Sequence, residues 1–143
     1  MTQKEKRATE AFKFLVLLPF DASAKRLRDA INTTIRQARA EPIFLDQIGR
    51  GAVWVDEVSQ LIRSSGAVIA DVTRLNPNVM FELGMAHGLG KPLVLLLDET
   101  ASTSLPSDLA GYQLLTYAPG NLSPLMARLS RTIGQIVQHQ EAR

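Results

Sequence analysis

A glutamate within an apolar helix face is the residue of this sequence whose position most strongly suggests chemistry. Glu82 lies between Asn76 and Gly90, a segment with the pattern of a helix of about three turns. At about 100° per residue, apolar residues share its side of the helix: Val79, Leu83, Met85, Ala86 and Leu89. A carboxylate taken from water without partners costs several kcal/mol, so a sequence rarely places one there unless a partner or a task compensates.

Glu82 is therefore our candidate catalytic residue. A desolvated carboxylate can act as a nucleophile or stabilise positive charge that develops on a substrate. The alternative is a buried glutamate paired with an arginine or lysine at a subunit interface.

Polar residues precede Glu82 at short spacing. Asp71 follows a short apolar run, where it could bind a ribose hydroxyl or act as a second catalytic group, but an Asx-turn is an equally natural role. Asn76 is most simply the N-cap of the helix that Pro77 begins, with ligand contact as a second duty. Asn78 could orient the Glu82 carboxylate or contact ligand. We count Thr73, Asn76 and Asn78 as candidate substrate-binding residues.

Two further loops supply candidate binding residues. Pro19, Phe20 and Asp21 follow the first apolar run, and Phe20 could stack on a base or simply close the core. Gly49, Arg50 and Gly51 could cradle a phosphate with backbone N–H groups and a guanidinium, against the alternative of a plain solvated turn.

The elements that position these residues alternate between strand and helix. Short apolar runs predict strands at 12–18, 42–45, 66–70, 92–97 and 112–117. Helical spacing predicts helices at 22–40, 52–64, 76–90 and 122–138, and the longest loop spans 98–110. This alternation predicts an α/β fold, a doubly wound five-stranded parallel sheet of order 2-1-3-4-5.

That strand order predicts where a ligand binds. The topological switch point lies between the first and third strands, and ligands of such sheets bind outside the carboxyl ends of the strands there. The loops from Pro19 to Asp21 and from Asp71 to Asn78 flank this point, and Glu82 follows near the start of the next helix.

Length and composition limit the class of protein. The 143 residues, 45% of them hydrophobic, suit a single domain over residues 12–143 after a flexible polar tail at 1–11. With no cysteine and two isolated histidines, we expect no metal and no cofactor. The net charge of +2 is spread along the chain, which suits a small anionic ligand and gives no support to nucleic-acid binding. Neither a membrane span nor a signal peptide is evident, so we expect a cytoplasmic protein.

The segment from Asp71 to Pro92, with Leu18-Pro19-Phe20, resembles the nucleoside 2-deoxyribosyltransferase-like family. The residues on which this resemblance rests are Asp71, Thr73, Asn76-Pro77-Asn78-Val79, Glu82-Leu83-Gly84, Ala86-His87 and Gly90-Lys91-Pro92. It is also similar to the bacterial TIR-like domains grouped with that family. The resemblance implies a flavodoxin-like domain that acts on the N-glycosidic bond of a nucleoside or nucleotide, with Glu82 as the nucleophile, as a hydrolase or transferase. It further implies a homo-oligomer, for which the Met80 and His87 side of the helix could supply a surface.

One residue departs from the family pattern. Asn76 stands where the transferases commonly carry an aspartate, and an amide cannot serve as an acid or a base. Protonation of the leaving base would then depend on Asp71 or Asp21, or be absent. Two alternatives therefore stay open: a TIR-like enzyme that cleaves the nicotinamide–ribose bond of NAD, and a non-catalytic module that binds a nucleotide or nucleotide-derived signal.

Overall fold

A five-stranded parallel sheet forms the centre of the protein. The computed structural model describes residues 10–19, 21–45 and 54–141. Its strands are β1 (Lys13–Leu17), β2 (Glu41–Phe44), β3 (Ala67–Asp71), β4 (Leu93–Asp98) and β5 (Gln113–Tyr117). They run parallel in the order β2-β1-β3-β4-β5, which confirms the predicted doubly wound, flavodoxin-like topology.

Helices cover both faces of this sheet. They are α1 (Lys25–Gln37), α2 (Trp54–Ser64), α3 (Pro77–Gly88) and α4 (Ser123–Glu141), with 3-10 turns at Ala22–Ala24 and Ser107–Leu109. Alternate side chains of β1 point to opposite faces, so Phe14 and Val16 pack with α1 and α4, whereas Leu15 and Leu17 pack with α2 and α3. In the part of the chain that the structure describes, no helix combines the length and apolar character needed to cross a bilayer.

Helix α3 begins and ends at the residues that its sequence predicts. The Asn76 side chain accepts hydrogen bonds from the backbone N–H groups of Asn78 at 2.9 Å and Val79 at 3.2 Å, and Pro77 follows it. Gly90, just beyond the helix, has a φ of +71°, the left-handed conformation that favours glycine at a helix end. Asn76 is therefore an N-cap.

Two details of the sequence prediction differ from the structure. The predicted helix at 22–40 starts with a separate 3-10 turn, because the Asp21 carboxylate caps that turn by accepting from the Ser23 N–H at 3.0 Å. Leu89, predicted on the buried side of α3, is 38% exposed because it lies past the helix end at the C-cap.

The Met80 and His87 side of α3 is contacted by the chain's own loop. Met80 packs in the same apolar cluster as Leu105, Leu109 and Tyr112, and the His87 Nδ1 contacts the Tyr112 hydroxyl. This loop covers part of the surface that the sequence suggested for a subunit contact. Homo-oligomerisation itself stays a prediction.

Candidate functional site

A cavity of about 410 Å³ opens at the carboxyl end of β1, where the strand order places the switch point. Residues from the end of β1 and the following loop form one wall, and Phe44 and Leu45 at the end of β2 form another. Glu82 of α3 and Lys25 and Arg28 of α1 complete the lining. We call this space the Glu82 cavity.

Glu82 combines burial with access to this cavity. It is 5% exposed, and its neighbours on the same side of α3, Val79, Leu83 and Ala86, are buried in the apolar cluster between α3 and the sheet. The structure thus places the carboxylate among apolar residues, as the sequence pattern predicted, and at the edge of a ligand-sized space.

Lys25 and Arg28 are cavity residues that the sequence analysis did not identify. The sequence indicated an amphipathic helix with a solvated basic face, and both residues belong to it. In the structure they lie at the start of α1, directly after the loop that leaves β1, and line the Glu82 cavity. The guanidinium carbon of Arg28 lies 4.3 Å from the centroid of the Phe44 ring. Their closeness to the predicted switch point was the signal available in the sequence.

Asp71, the second candidate catalytic residue, lines a separate and adjoining cavity. This Asp71 cavity of about 300 Å³ also includes Arg26, Asp98 and Tyr117. The two cavities share part of one wall, formed by Pro19, Asp21 and Ala24. Glu82 and Asp71 therefore flank the loop that follows β1, from opposite sides of it.

The hydrogen bonds of Asp71 satisfy its carboxylate within the protein. Asp71 is 6% exposed, and its Oδ1 accepts from the Thr73 N–H at 3.0 Å and the Thr73 hydroxyl at 2.5 Å. Its Oδ2 accepts from the Tyr117 hydroxyl at 2.9 Å. The Asx-turn that the sequence allowed is present, so Asp71 has a structural role in shaping the loop after β3. A contact with substrate stays a prediction.

Asp21 is an exposed carboxylate on the shared wall. It accepts from the Ser23 N–H at 3.0 Å and pairs with the Arg74 guanidinium at 2.8 Å. The Ser23 hydrogen bonds, followed by Arg74, hold the pKa of the Asp21 carboxyl below its ordinary value of 3.8. The lowered pKa disfavours the protonated form of Asp21, so these contacts disfavour it as the acid that protonates a leaving base.

The remaining candidate residues lie around these two cavities or outside the described chain. Thr73 lines the Asp71 cavity, and its hydroxyl accepts from the Asp98 N–H at 2.9 Å. Asn76 and Asn78 line neither of the two cavities, and Asn78 is exposed. Phe20, Gly49, Arg50 and Gly51 lie outside the described residues, so their binding roles stay predictions.

Solved structures with the same fold include a CMP N-glycosidase from Clostridium botulinum, BcmB. It aligns with a TM-score of 0.62 at 15% identity, over 84% of this chain and 98% of that one. A flavodoxin-like domain from Synechococcus aligns with a TM-score of 0.62 at 11% identity, over 92% and 99% of the two chains. A response regulator receiver domain from Bacillus halodurans aligns with a TM-score of 0.55 at 12% identity, over 87% and 97%. At these identities the likeness establishes the fold.

Sequence comparison identifies the family. No curated protein matches the sequence. A family model described as "CAP12/Pycsar effector protein, TIR domain" matches residues 20–119 of the 143, a span that includes both Glu82 and Asp71. Of the two related groups that the Asp71 to Pro92 pattern resembles, the match supports the TIR-like one, and the chain belongs to the CAP12/Pycsar effector TIR-domain family.

Proposed function

We propose that this domain hydrolyses the N-glycosidic bond of a nucleotide, with Glu82 as the nucleophile. The observation that carries the proposal is a carboxylate only 5% exposed that nevertheless lines a cavity of about 410 Å³ at the switch point of the sheet. Such a crevice is where doubly wound folds bind ligands. A carboxylate fixed beside the anomeric carbon is the group that glycosidic cleavage through an oxocarbenium-like transition state needs.

The reaction would proceed in two steps at C1′ of the ribose. The ionised Glu82 carboxylate bonds to C1′ while the C1′–N bond breaks, and the bonding electron pair leaves with the nitrogen of the base. Water then attacks C1′ and releases Glu82 as a carboxylate, and the proton that this water loses ends on the departed nitrogen of a neutral base or, when nicotinamide departs, in solvent. With a 2-deoxyribose as the sugar and a free nucleobase in place of water, the same chemistry would be a deoxyribosyl transfer.

Our first candidate substrate is a nucleoside 5′-monophosphate. The Glu82 cavity places cationic side chains, Lys25 and Arg28, in the same space as the carboxylate. The CMP N-glycosidase from Clostridium botulinum has the same fold, and its named activity is on such a nucleotide. The products would be the free base and ribose 5-phosphate.

A second candidate substrate is NAD, because the carboxylates around the cavity are poorly suited to donate a proton to a leaving base. A neutral base such as cytosine must gain a proton as it departs, and Asp21 and Asp71 were the proposed donors. Asp21 has a lowered pKa, and Asp71 lines the neighbouring cavity as a hydrogen-bond acceptor. Nicotinamide is attached as a cationic pyridinium and departs as a neutral molecule, so it needs no acid. Membership of a TIR-domain family supports the same candidate.

Chromatographic product analysis tests the proposal. The purified domain would be incubated with the nucleoside 5′-monophosphates, the matching nucleosides and NAD. We expect release of free base or nicotinamide, and loss of that release in Glu82→Gln, which keeps the shape of the side chain. Glu41→Gln is the matched control, because Glu41 is exposed at the opposite, amino end of β2.

Each result has a defined meaning. Cleavage that persists in Glu82→Gln would exclude Glu82 as the nucleophile. A folded protein that forms no product from any of these compounds, yet is stabilised against heat by one of them, would instead be a nucleotide-binding module.

A further inference from the structure

We propose that Lys25 and Arg28 form a subsite for the phosphate on the 5′ oxygen of the ribose whose glycosidic bond is cleaved. The assignment rests on the proposed function, because it takes the Glu82 cavity as the substrate site. It holds for a nucleoside 5′-monophosphate and for the nicotinamide half of NAD, since both carry a phosphate at that oxygen. No pattern in the sequence assigned a ligand to either residue.

The two faces of the sheet supply opposite charges to the cavity. Glu82 belongs to α3, which packs on one face, whereas Lys25 and Arg28 belong to α1, which packs on the other. The ribose ring likewise separates the anomeric carbon from the 5′-phosphate. A ribose bound across the carboxyl end of β1 would therefore present C1′ towards Glu82 and its phosphate towards α1.

The position of Arg28 suits a side chain that binds an anion in the cavity. Its guanidinium carbon lies 4.3 Å from the centroid of the Phe44 ring, and Phe44 itself lines the cavity. A guanidinium over the face of a ring is held there by cation–π attraction, so it loses less side-chain freedom when it binds phosphate. Its planar set of N–H donors can bind a phosphate in a bidentate manner.

Lys25 adds a second positive charge near the same place. It is the first residue of α1 and follows directly from the 3-10 turn Ala22–Ala24, one turn of helix before Arg28, so both cations lie at the start of α1. Asp21 lines the cavity as well, but its carboxylate is already paired with Arg74 at 2.8 Å, which reduces its repulsion of an anion.

The assignment competes with the phosphate cradle that the sequence suggested at Gly49, Arg50 and Gly51. The two hypotheses make different predictions for arginine variants. Replacement of Arg28 should remove selectivity for phosphorylated ligands if our assignment is correct, and replacement of Arg50 should do so if the cradle binds the phosphate.

Binding measurements separate the subsite from catalysis. Calorimetry on Glu82→Gln, which prevents turnover, would give the affinities for each nucleoside 5′-monophosphate and its nucleoside, and for nicotinamide mononucleotide and nicotinamide riboside. The phosphate preference is the ratio of the two affinities in each pair. We expect Lys25→Gln and Arg28→Gln each to lower this ratio roughly tenfold to a hundredfold, the range for a lost hydrogen bond to a charged group. Arg28→Lys should restore part of it.

The controls address charge, folding and the background substitution. Arg36→Gln makes the same change of charge in the last turn of α1, roughly 16 Å along the helix from Lys25, and should leave the ratio unchanged. The affinity for inorganic phosphate, measured with Glu82 intact in the parent domain, Lys25→Gln and Arg28→Gln, repeats the test without the Glu82→Gln substitution. A thermal unfolding curve for each variant checks that it folds.

The outcomes distinguish failure of the subsite from failure of the proposed function. Equal affinity for phosphorylated and unphosphorylated ligands, no binding of phosphorylated ligands, or an unchanged ratio in both variants would overturn the subsite. Loss of the ratio in Arg50→Gln alone would assign the phosphate to the other loop. Loss of the ratio in Lys25→Gln and Arg28→Gln in a domain that cleaves nothing would confirm the subsite and refute the glycosidase.

Discussion

The hydroxyl of Tyr117 at the end of β5 donates a 2.9 Å hydrogen bond to the carboxylate of Asp71 at the end of β3. The strand β4 lies between them, and its last residue, Asp98, donates its N–H to the hydroxyl of Thr73. The same hydroxyl of Thr73 donates to Asp71. The carboxyl ends of three strands are thereby joined beneath the Asp71 cavity.

Replacement of Tyr117 by phenylalanine tests the contribution of this hydrogen bond. The substitution removes one of the three donors to a carboxylate that is 6% exposed. We expect Tyr117→Phe to lower the free energy of unfolding by about 1–3 kcal/mol, the usual cost when a buried polar group loses its partner. Denaturant unfolding measures the change. Tyr112→Phe, at a half-buried residue outside the network, is the control and should cost less.

The titration of Tyr117 provides a second test of the same contact. Burial, and then the charge of Asp71, raise the pKa of the Tyr117 phenol well above its ordinary value of 10.0. A raised pKa in the folded state means that the stabilisation is complete below about pH 10 and is lost as the pH rises beyond that. In Tyr112→Phe, which retains a single tyrosine, phenolate absorbance should appear only as the protein unfolds in alkali. Ionisation near pH 10 in the folded state would contradict the contact.

The fold was predictable because its signals are local. Five apolar runs separated by helical spacing define the strand count, and right-handed crossovers leave few arrangements of a parallel sheet. The start of α3 was predictable residue by residue, because Asn76 and Pro77 act on the backbone directly beside them. The capped turn at Ala22–Ala24 was missed because it depends on where the Asp21 side chain points.

The candidate site was predictable only in part. Glu82 stands out because a carboxylate interrupts an apolar pattern, and this interruption can be recognised from the sequence alone. Lys25 and Arg28 break no pattern, since basic residues on an amphipathic helix normally face water. The division of the crevice into two cavities depends on how the loop after β1 folds between Glu82 and Asp71, which no local spacing encodes.

Removal of the Asn76 side chain should destabilise the protein through α3. The amide oxygen of Asn76 satisfies two backbone N–H groups at the helix start, at 2.9 and 3.2 Å. We expect Asn76→Ala to cost about 0.5–2 kcal/mol in the free energy of unfolding, and Asn76→Asp to cost much less because aspartate also caps. Asn78→Ala, at an exposed residue two positions later, should have little effect. Equal losses in Asn76→Ala and Asn78→Ala would argue against a capping role.

A side chain at Gly66 would have to displace the ring of Phe12. A Cβ at Gly66 would lie 2.2 Å from the Cζ of Phe12, and that ring also packs against Phe14 with centroids 4.9 Å apart. We expect Gly66→Ala to lower the free energy of unfolding by about 1–3 kcal/mol, as overpacking usually does. When Phe12 is already alanine, the further loss caused by Gly66→Ala should be smaller, because the ring atoms that would clash are gone. Additive losses in the double variant would contradict the steric explanation.

The ionisation of Asp21 decides whether this residue can serve as an acid in the proposed reaction. Hydrogen bonds from Ser23 are the largest cause of its lowered pKa, and Arg74 is a further one. Its contribution to stability is therefore present above pH 3.8 and is lost as the pH falls below that value. Carboxyl chemical shifts followed by NMR should show a pKa below 3.8 in the parent domain. In Arg74→Gln the pKa should rise but stay below that ordinary value, because the Ser23 hydrogen bonds remain. A pKa near neutrality in the parent would restore Asp21 as a proton donor and remove the argument that favours a cationic leaving group.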